Sequence, residues 1–312
     1  MTVPGEEAPP GSYWNRHFPV TIAVVAFGSM IPIIGQIAVP AALLVRFSER
    51  QEEPSQRYLP AVLGAALLSI VVPPFAPYGI SVVLSGIVLD QALRRRWDWR
   101  TASLLAALPL IAGLAIPIMT SSTEVIRSQL VEAMEPVVPA FRSAGFDPAR
   151  TEEVVRWVIE AYLRLLPGMF VLTGLFYGLL ALAGGTWWMK KRGAAPAVTF
   201  PQLAMWVVPE WLVWPTAAGL VFSLLTRGGI QSIGLNIIFV MAFLYSIQGI
   251  AIMWYGFITR DIPLWARVIF VLVVLFFWPA IFPVLLVGIL ETWVPFRSMI
   301  ASGAGNGDEE EF

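Results

Sequence analysis

The stretch LPGMFVLTGLFYGLLALAGGTWWM, residues Leu166–Met189, contains no Lys, Arg, Asp or Glu. About twenty apolar residues in a helix cross the ~30 Å hydrocarbon core of a bilayer. Because backbone polar groups find no water in that core, each crossing must be helical. Three other stretches are equally free of charge: Thr101–Thr120, Asn236–Thr259 and Val268–Leu290. The sequence therefore predicts an all-α, polytopic transmembrane helical bundle.

Composition extends this prediction to the whole chain. Of the 312 residues, 57% are hydrophobic and 13% are charged, and the mean hydropathy is +0.74. This length accommodates about eight to ten spans or half-spans and no sizeable soluble domain. We expect five segments: an N-terminal flank (1–17), N-terminal membrane spans (18–120), an external amphipathic helical insert (121–163), C-terminal membrane spans (164–297) and a flexible acidic tail (298–312).

The first and last apolar stretches are interrupted by proline. Phe18–Val45 is either one kinked helix or a span followed by a half-helix, and it lacks the pattern of a cleaved signal peptide. As one helix, Val268–Arg297 would extend about 45 Å, which is longer than tilt alone accommodates. We therefore predict that Pro279 and Pro283 break it and that its second half turns back or runs along the interface.

Basic residues predict the orientation of the chain. The segments Arg94–Arg100 and Lys190–Arg192 each carry a net charge of +3, which is typical of cytoplasmic loops. The insert Ser121–Leu163 is separated from each basic segment by one span and carries a net charge of −3, so we expect it on the external face. The pattern is that of a multi-pass protein of a bacterial cytoplasmic (inner) membrane.

The insert has the pattern of two amphipathic helices. Ser121 and Glu124 have the spacing of a capping box, and Pro136 ends the first helix. Asp147 and Pro148 are predicted to be the N-cap and first residue of the second. These helices either lie on the membrane surface and cover the bundle, or form a lid over a site or a docking surface for a partner.

Several classes of function are disfavoured. The chain has no Cys, its only His is His17, and its net charge is −1. A thiolate nucleophile, a histidine triad and a histidine-rich metal site are therefore excluded, and the charge gives no reason to expect nucleic-acid binding. We find no recognisable catalytic constellation and expect neither an enzyme nor a bound cofactor or metal.

Polar side chains inside spans are costly and normally face the bundle interior, where they pair or line a path. We expect Glu210, Gln248 and Asn236 to face inward as a candidate intramembrane polar site. Glu210 follows Pro209, so a structural role in the first turn of a helix is the alternative. Asn236 and Gln248 lie about 18 Å apart along a helix and cannot both touch one small ligand, so Gln248 is the better match for Glu210.

Four other polar residues receive secondary roles. Gln36 stands beside Gly35 at a predicted break, where its amide is expected to satisfy freed backbone groups. Glu291 and Arg297 are further candidates for the polar site. Asp90 precedes Arg94 by four residues at a helix end, which predicts an interfacial ion pair.

Spaced motifs across the chain resemble the YybS-like family of predicted bacterial multi-pass membrane proteins, a domain of unknown function. These are AVPAALL (38–44), RLLP (164–167), FPQLAMWVVPE (200–210), Asn236, YSIQG (245–249) and GILETWVPFR (288–297). The last motif more usually has Asp at the position of Glu291. The resemblance implies an architecture and no activity. The first six spans also resemble, in hydropathy and Gly/Pro placement, the S components of energy-coupling-factor vitamin transporters.

Two functional hypotheses follow. The leading one is a small-solute binding or transport subunit, because broken helices at membrane depth are tolerated mainly around cavities. The alternative is a non-transporting scaffold, an assembly or regulatory partner of another membrane complex. The expected partners are the lipid bilayer, another membrane protein or a second copy of the chain, and a small solute.

Overall fold

The computed structural model describes residues 12–48, 54–143, 145, 147–194, 198 and 203–305. In these residues every regular element is a helix, which confirms the all-α prediction. The chain divides into two compact units: unit 1 comprises Met1–Glu160 and Phe170–Phe200, and unit 2 comprises Ala161–Met169 and Pro201–Phe312.

Unit 1 contains seven helices and most of an eighth among its described residues. They are α1 (Ser12–Gly28), α2 (Pro32–Ser48), α3 (Pro54–Val71), α4 (Ala76–Arg94), α5 (Trp99–Met119), α6 (Thr123–Met134), α7 (Val137–Ser143) and α8 (Pro148–Lys191). Unit 2 holds the middle of α8 and five further helices: α9 (Val213–Leu225), α10 (Gly229–Thr259), α11 (Leu264–Phe276), α12 (Ile281–Leu290) and α13 (Phe296–Gly305).

Within the described part of the chain, four helices are long and apolar enough to cross a bilayer. They are Pro73–Arg94, Trp99–Met119, Ala149–Lys191 and Gly229–Thr259. Six shorter apolar segments of 10–17 residues accompany them. Because a 13-residue helix such as α9 extends only about 20 Å, it cannot cross the core alone. The bundle therefore combines full spans with half-spans, as predicted.

The first apolar stretch forms two helices and not one kinked helix. α1 ends at Gly28 and α2 begins at Pro32, with a turn at residues 29–31. Gly35 allows this tight turn, because a Cβ there would lie 2.0 Å from the carbonyl oxygen of Gly28. α1 also begins at Ser12, so the expected flank is already helical from that residue.

The segment predicted to be an external insert differs from the prediction in its details. The N-cap of α6 is Ser122 and not Ser121, since the backbone N–H of Val125 donates to Ser122 Oγ at 3.3 Å. α6 ends at Met134 before Pro136, and Asp147 and Pro148 begin α8, as predicted. The second insert helix is not separate from the next span, because α8 continues unbroken to Lys191.

The helix of the last apolar stretch is broken at Pro279, as predicted, but not at Pro283. α11 ends at Phe276, and a 3₁₀ turn over Trp278–Ala280 precedes α12. Pro283 does not interrupt the helix. It lies in the first turn of α12, where the backbone N–H groups have no intrahelical partner, so the missing N–H of proline costs no hydrogen bond.

The chain turns back after α12, and α13 packs against α10. The expectation of a flexible tail from residue 298 is therefore wrong for residues 298–305, which form most of α13. The acidic residues Asp308–Glu311 lie outside the described residues.

Candidate functional site

A break in helical structure precedes α9. Residues 206–209 have no regular structure between two short 3₁₀ turns, Leu203–Met205 and Glu210–Leu212. Pro209 disfavours the helical conformation at Val208 and donates no backbone hydrogen bond. The apolar stretch from Met205 to Leu225 is therefore not one span, and we call Trp206–Pro209 the break segment.

The break segment lies beside the interior of α10, far from both ends of that helix. α9 and α10 are antiparallel neighbours, since Gly219 packs against Ile237 and Gly234 against Ser223. Further back along the chain, Val208 N–H donates to Gln248 Oε1 at 2.5 Å. Gln248 lies about 16 Å from the Thr259 end of α10 and about 28 Å from its other end.

Gln248 joins the break segment to α12. Its side chain is 1% exposed, and its Nε2 donates to the carbonyl oxygen of Gly288 at 2.9 Å. α12 approaches α10 closely here, because a Cβ on Gly288 would lie 1.9 Å from the carbonyl oxygen of Tyr245. The prediction that Gln248 faces the interior is confirmed. The oxygen and the nitrogen of its amide are both hydrogen-bonded to backbone groups.

Arg297 satisfies the carbonyl groups that the break leaves free. Its guanidinium donates to the carbonyl oxygens of Trp206 at 2.7 Å and Ala204 at 3.1 Å. The same group forms an ion pair of 2.9 Å with Glu291 Oε1, and Glu291 Oε2 accepts from Phe296 N–H at 2.8 Å. The two oxygens of Glu291 thus accept from two different donors.

Glu210 occupies the start of the helical segment that follows the break. It is exposed, so the prediction that its side chain faces the bundle interior is wrong. Its carboxylate forms no hydrogen bond or ion pair with any residue that the structure describes. Glu210 lies in the first turn of this segment. This position agrees with the alternative prediction of a structural role, because the helix dipole favours a negative charge at a helix N-terminus.

Asn236 belongs to a different place, where α8 contains Pro167. Asn236 Oδ1 accepts from Gly168 N–H at 2.6 Å, and its Nδ2 donates to the carbonyl oxygens of Arg164 and Ser232, each at 2.7 Å. Gly168 N–H and Arg164 C=O are the i, i+4 backbone groups of the helical turn that contains Pro167. The amide of Asn236 therefore braces α8 at its proline, and it does not line the break segment.

Gln36 lies in α2, beyond the turn that separates α1 from α2. It is 1% exposed, and neither its Oε1 nor its Nε2 has a hydrogen-bond partner among the described residues. The prediction that its amide satisfies freed backbone groups is therefore wrong. Gln36 precedes Val39 and Leu43 at helical spacing, so it faces the apolar core that those two residues help to form.

Asp90 forms a buried charge cluster in unit 1. Its Oδ2 accepts from Tyr58 Oη at 2.7 Å and pairs with Arg94 at 2.9 Å and Arg57 at 3.3 Å. The predicted pair with Arg94 is confirmed, but Asp90 is 1% exposed and not interfacial. Arg57 and Tyr58 belong to no sequence motif; the polar run at the start of the apolar stretch that forms α3 is the signal that points to them.

In the described part of the chain, no three His, Asp or Glu side chains are grouped so that they hold a metal ion. The chemistry available at the break segment is therefore that of one exposed carboxylate beside a backbone held rigid by Gln248, Glu291 and Arg297. Such an arrangement can bind a cation or a hydrogen-bond donor.

Comparison with curated proteins and with solved structures finds no match to this chain. A family model described as a predicted membrane protein (DUF2232) matches residues 20–292, which include α2–α12. This match agrees with the resemblance to YybS-like membrane proteins and covers every candidate site residue except Arg297. The chain is an integral membrane protein and belongs to the DUF2232 family.

Proposed function

We propose that the protein binds a small cationic solute at the break segment, as a binding or transport subunit of the bacterial cytoplasmic membrane. One observation carries the proposal: an exposed carboxylate, that of Glu210, begins a helix that is interrupted beside the interior of the long helix α10. Interrupted helices at membrane depth line cavities or coordinate solutes in transporters.

The charge at the site defines the class of solute. An exposed carboxylate at membrane depth is costly unless it faces water or a partner of opposite charge. Glu210 has no cationic partner among the described residues, so it is available to a solute that carries an ammonium or a guanidinium group. Gln248 and Arg297 act as positioning residues, because they hold the backbone from which Glu210 projects.

The alternative function is docking of a partner membrane protein. Trp211 and Trp214 follow Glu210 and are 64% and 76% exposed. Exposed tryptophans beside a carboxylate favour a protein partner, because Trp is enriched at the energetic centres of protein interfaces. In this alternative Glu210 pairs with a cation of the partner.

The experiment compares Glu210→Gln with the wild-type protein in nanodiscs. Thermal unfolding is followed in the presence of putrescine, ethanolamine and choline, with acetate as an anionic control. We expect at least one of these cations to raise the wild-type midpoint and to leave Glu210→Gln unchanged. Glu210→Asp should retain part of the effect, and Glu124→Gln in the insert should retain all of it.

Two results would contradict the proposal. If none of the cations stabilises the wild-type protein, the site does not bind small cations and the docking function is preferred. If Glu210→Gln responds like the wild type, binding occurs elsewhere. Should Glu210→Gln abolish accumulation in the membrane, Glu210→Asp tests whether the residue serves only to begin the helix.

A further inference from the structure

Two basic segments of unit 1 are exposed and carry most of its cationic side chains outside the insert. The first runs from the last residue of α4 to the start of α5 and includes Arg94, Arg95, Arg96 and Arg100. The second ends α8 and comprises Lys190–Arg192. With Asp98 included, the two segments together carry a net charge of +6, of which the charge of Arg94 is paired with the buried Asp90.

These segments lie at the same end of unit 1. Leu93, just before the first segment, and Met189, just before the second, belong to one buried apolar cluster. Trp97 and Trp99 from the first segment pack against that cluster. Segments almost a hundred residues apart in the chain are therefore neighbours, and we call them together the basic end.

Each segment places cations over tryptophan rings. The charged group of Arg95 lies 5.8 Å from the centre of the Trp97 ring, and that of Arg100 lies 5.4 Å from Trp99. In the second segment the corresponding distances are 5.4 Å for Lys191 over Trp187 and 5.2 Å for Arg192 over Trp188. The side chains are thus oriented by stacking, and Trp187 is 64% exposed.

Arg96 adds a further indication. Its φ is 53°, in the left-handed region where a side chain is disfavoured and glycine is usual. An arginine at this turn costs backbone free energy that glycine would not. The basic end therefore has an arginine at a position where the backbone conformation favours glycine.

We propose that the basic end binds the phosphate headgroups of anionic phospholipids in the surrounding bilayer. Tryptophan rings lie at the depth of lipid headgroups, and basic side chains beside a span attract anionic lipid. The stacking holds the cations at that same depth. A basic loop that served only to set the orientation of the protein in the membrane would need its positive charges but not the four tryptophan rings. This inference is independent of the solute site, which lies in unit 2.

The test measures lipid retention on the full-length protein by native mass spectrometry, with phosphatidylglycerol titrated against phosphatidylcholine. The triple variant Arg95→Gln, Arg96→Gln and Lys191→Gln should weaken phosphatidylglycerol binding about tenfold or more. A matched variant, with Arg150, Arg156 and Arg227 each replaced by Gln, removes the same charge elsewhere and should bind as the wild type does.

A second variant separates the stacked arrangement from charge alone. Trp187→Leu with Trp188→Leu leaves the net charge unchanged, and we expect it to reduce selectivity for phosphatidylglycerol at least a fewfold. This variant also serves if the triple variant fails to fold. Inorganic phosphate added at equal concentration should not displace the lipid.

Three results would overturn the proposal. If the matched variant loses as much phosphatidylglycerol binding as the triple variant, the effect is one of net charge and not of the basic end. Unchanged selectivity in the tryptophan variant would indicate ordinary loop charge without an oriented site. Displacement by inorganic phosphate would assign the basic end to a soluble anion instead of a lipid.

Discussion

Gln248 shows how one side chain stabilises a break in the backbone. A neutral amide both donates and accepts, so it bonds an N–H group of the break segment and a C=O group of α12 at the same time. A carboxylate or an ammonium group would satisfy only one of them. This dual requirement explains an amide at a buried position where an apolar residue would otherwise be expected.

We predict that Gln248→Ala destabilises the protein by about 1–3 kcal/mol, because it leaves Val208 N–H and Gly288 C=O without partners. Gln231→Ala on the same helix is the matched control, since Gln231 makes a single bond of 3.2 Å to Ser223 C=O. The measurement is reversible unfolding in mixed micelles. Equal losses in the two variants would show that the bonds of Gln248 contribute nothing specific.

Polar residues that would be costly to expose to lipid can be selected from the sequence, but their partners cannot. Burial cost alone selects Gln248, Glu291 and Arg297 from an apolar background. Apart from the ion pair between Glu291 and Arg297, their partners are backbone groups at Val208, Phe296 and Trp206, which carry no sequence signal. The same burial cost predicts that Glu210 faces inward, and this prediction is wrong because tertiary packing decides which side of the break segment faces the bundle.

At the scale of the element, prolines and their partners decide where helices are continuous. Pro167 lies inside α8 without ending it, and Asn236 of α10 bonds to the two backbone groups beside it. Pro279 lies in a break, whereas Pro283 lies in the first turn of α12. A proline therefore indicates where a helix can break. Whether it does break depends on the position of the proline in the helix and on the side chains that bond to the neighbouring backbone.

We predict that Asn236 and Pro167 are energetically coupled. Asn236→Ala should cost about 1 kcal/mol in the wild type and less in a Pro167→Ala background, where the turn around residue 167 regains the backbone N–H that proline lacks. Pro109→Ala in α5 is the control background, in which the cost of Asn236→Ala should be unchanged. Equal costs in all three backgrounds would refute the bracing role.

At the scale of the whole molecule, the orientation in the membrane remains a prediction from basic loops. We expect a cysteine at Ser143 to react with a membrane-impermeant maleimide in intact cells. A cysteine at Ala194, beside the basic end, should react only after lysis. The native chain has no thiol to interfere. The reverse labelling pattern would show that the insert is cytoplasmic.

The amino-acid sequence by itself determined the class of this protein, an all-helical membrane bundle, since long charge-free stretches have one stable form in a bilayer. It also determined the family and the break near Pro279. Only the tertiary structure decided that Gln248 and Arg297 meet the break segment, that Asn236 braces Pro167, and that Asp90 is buried with Arg57. The reason is physical: burial cost depends on composition along the chain, whereas hydrogen-bond partners depend on which distant backbone groups the packing brings within 3 Å or so.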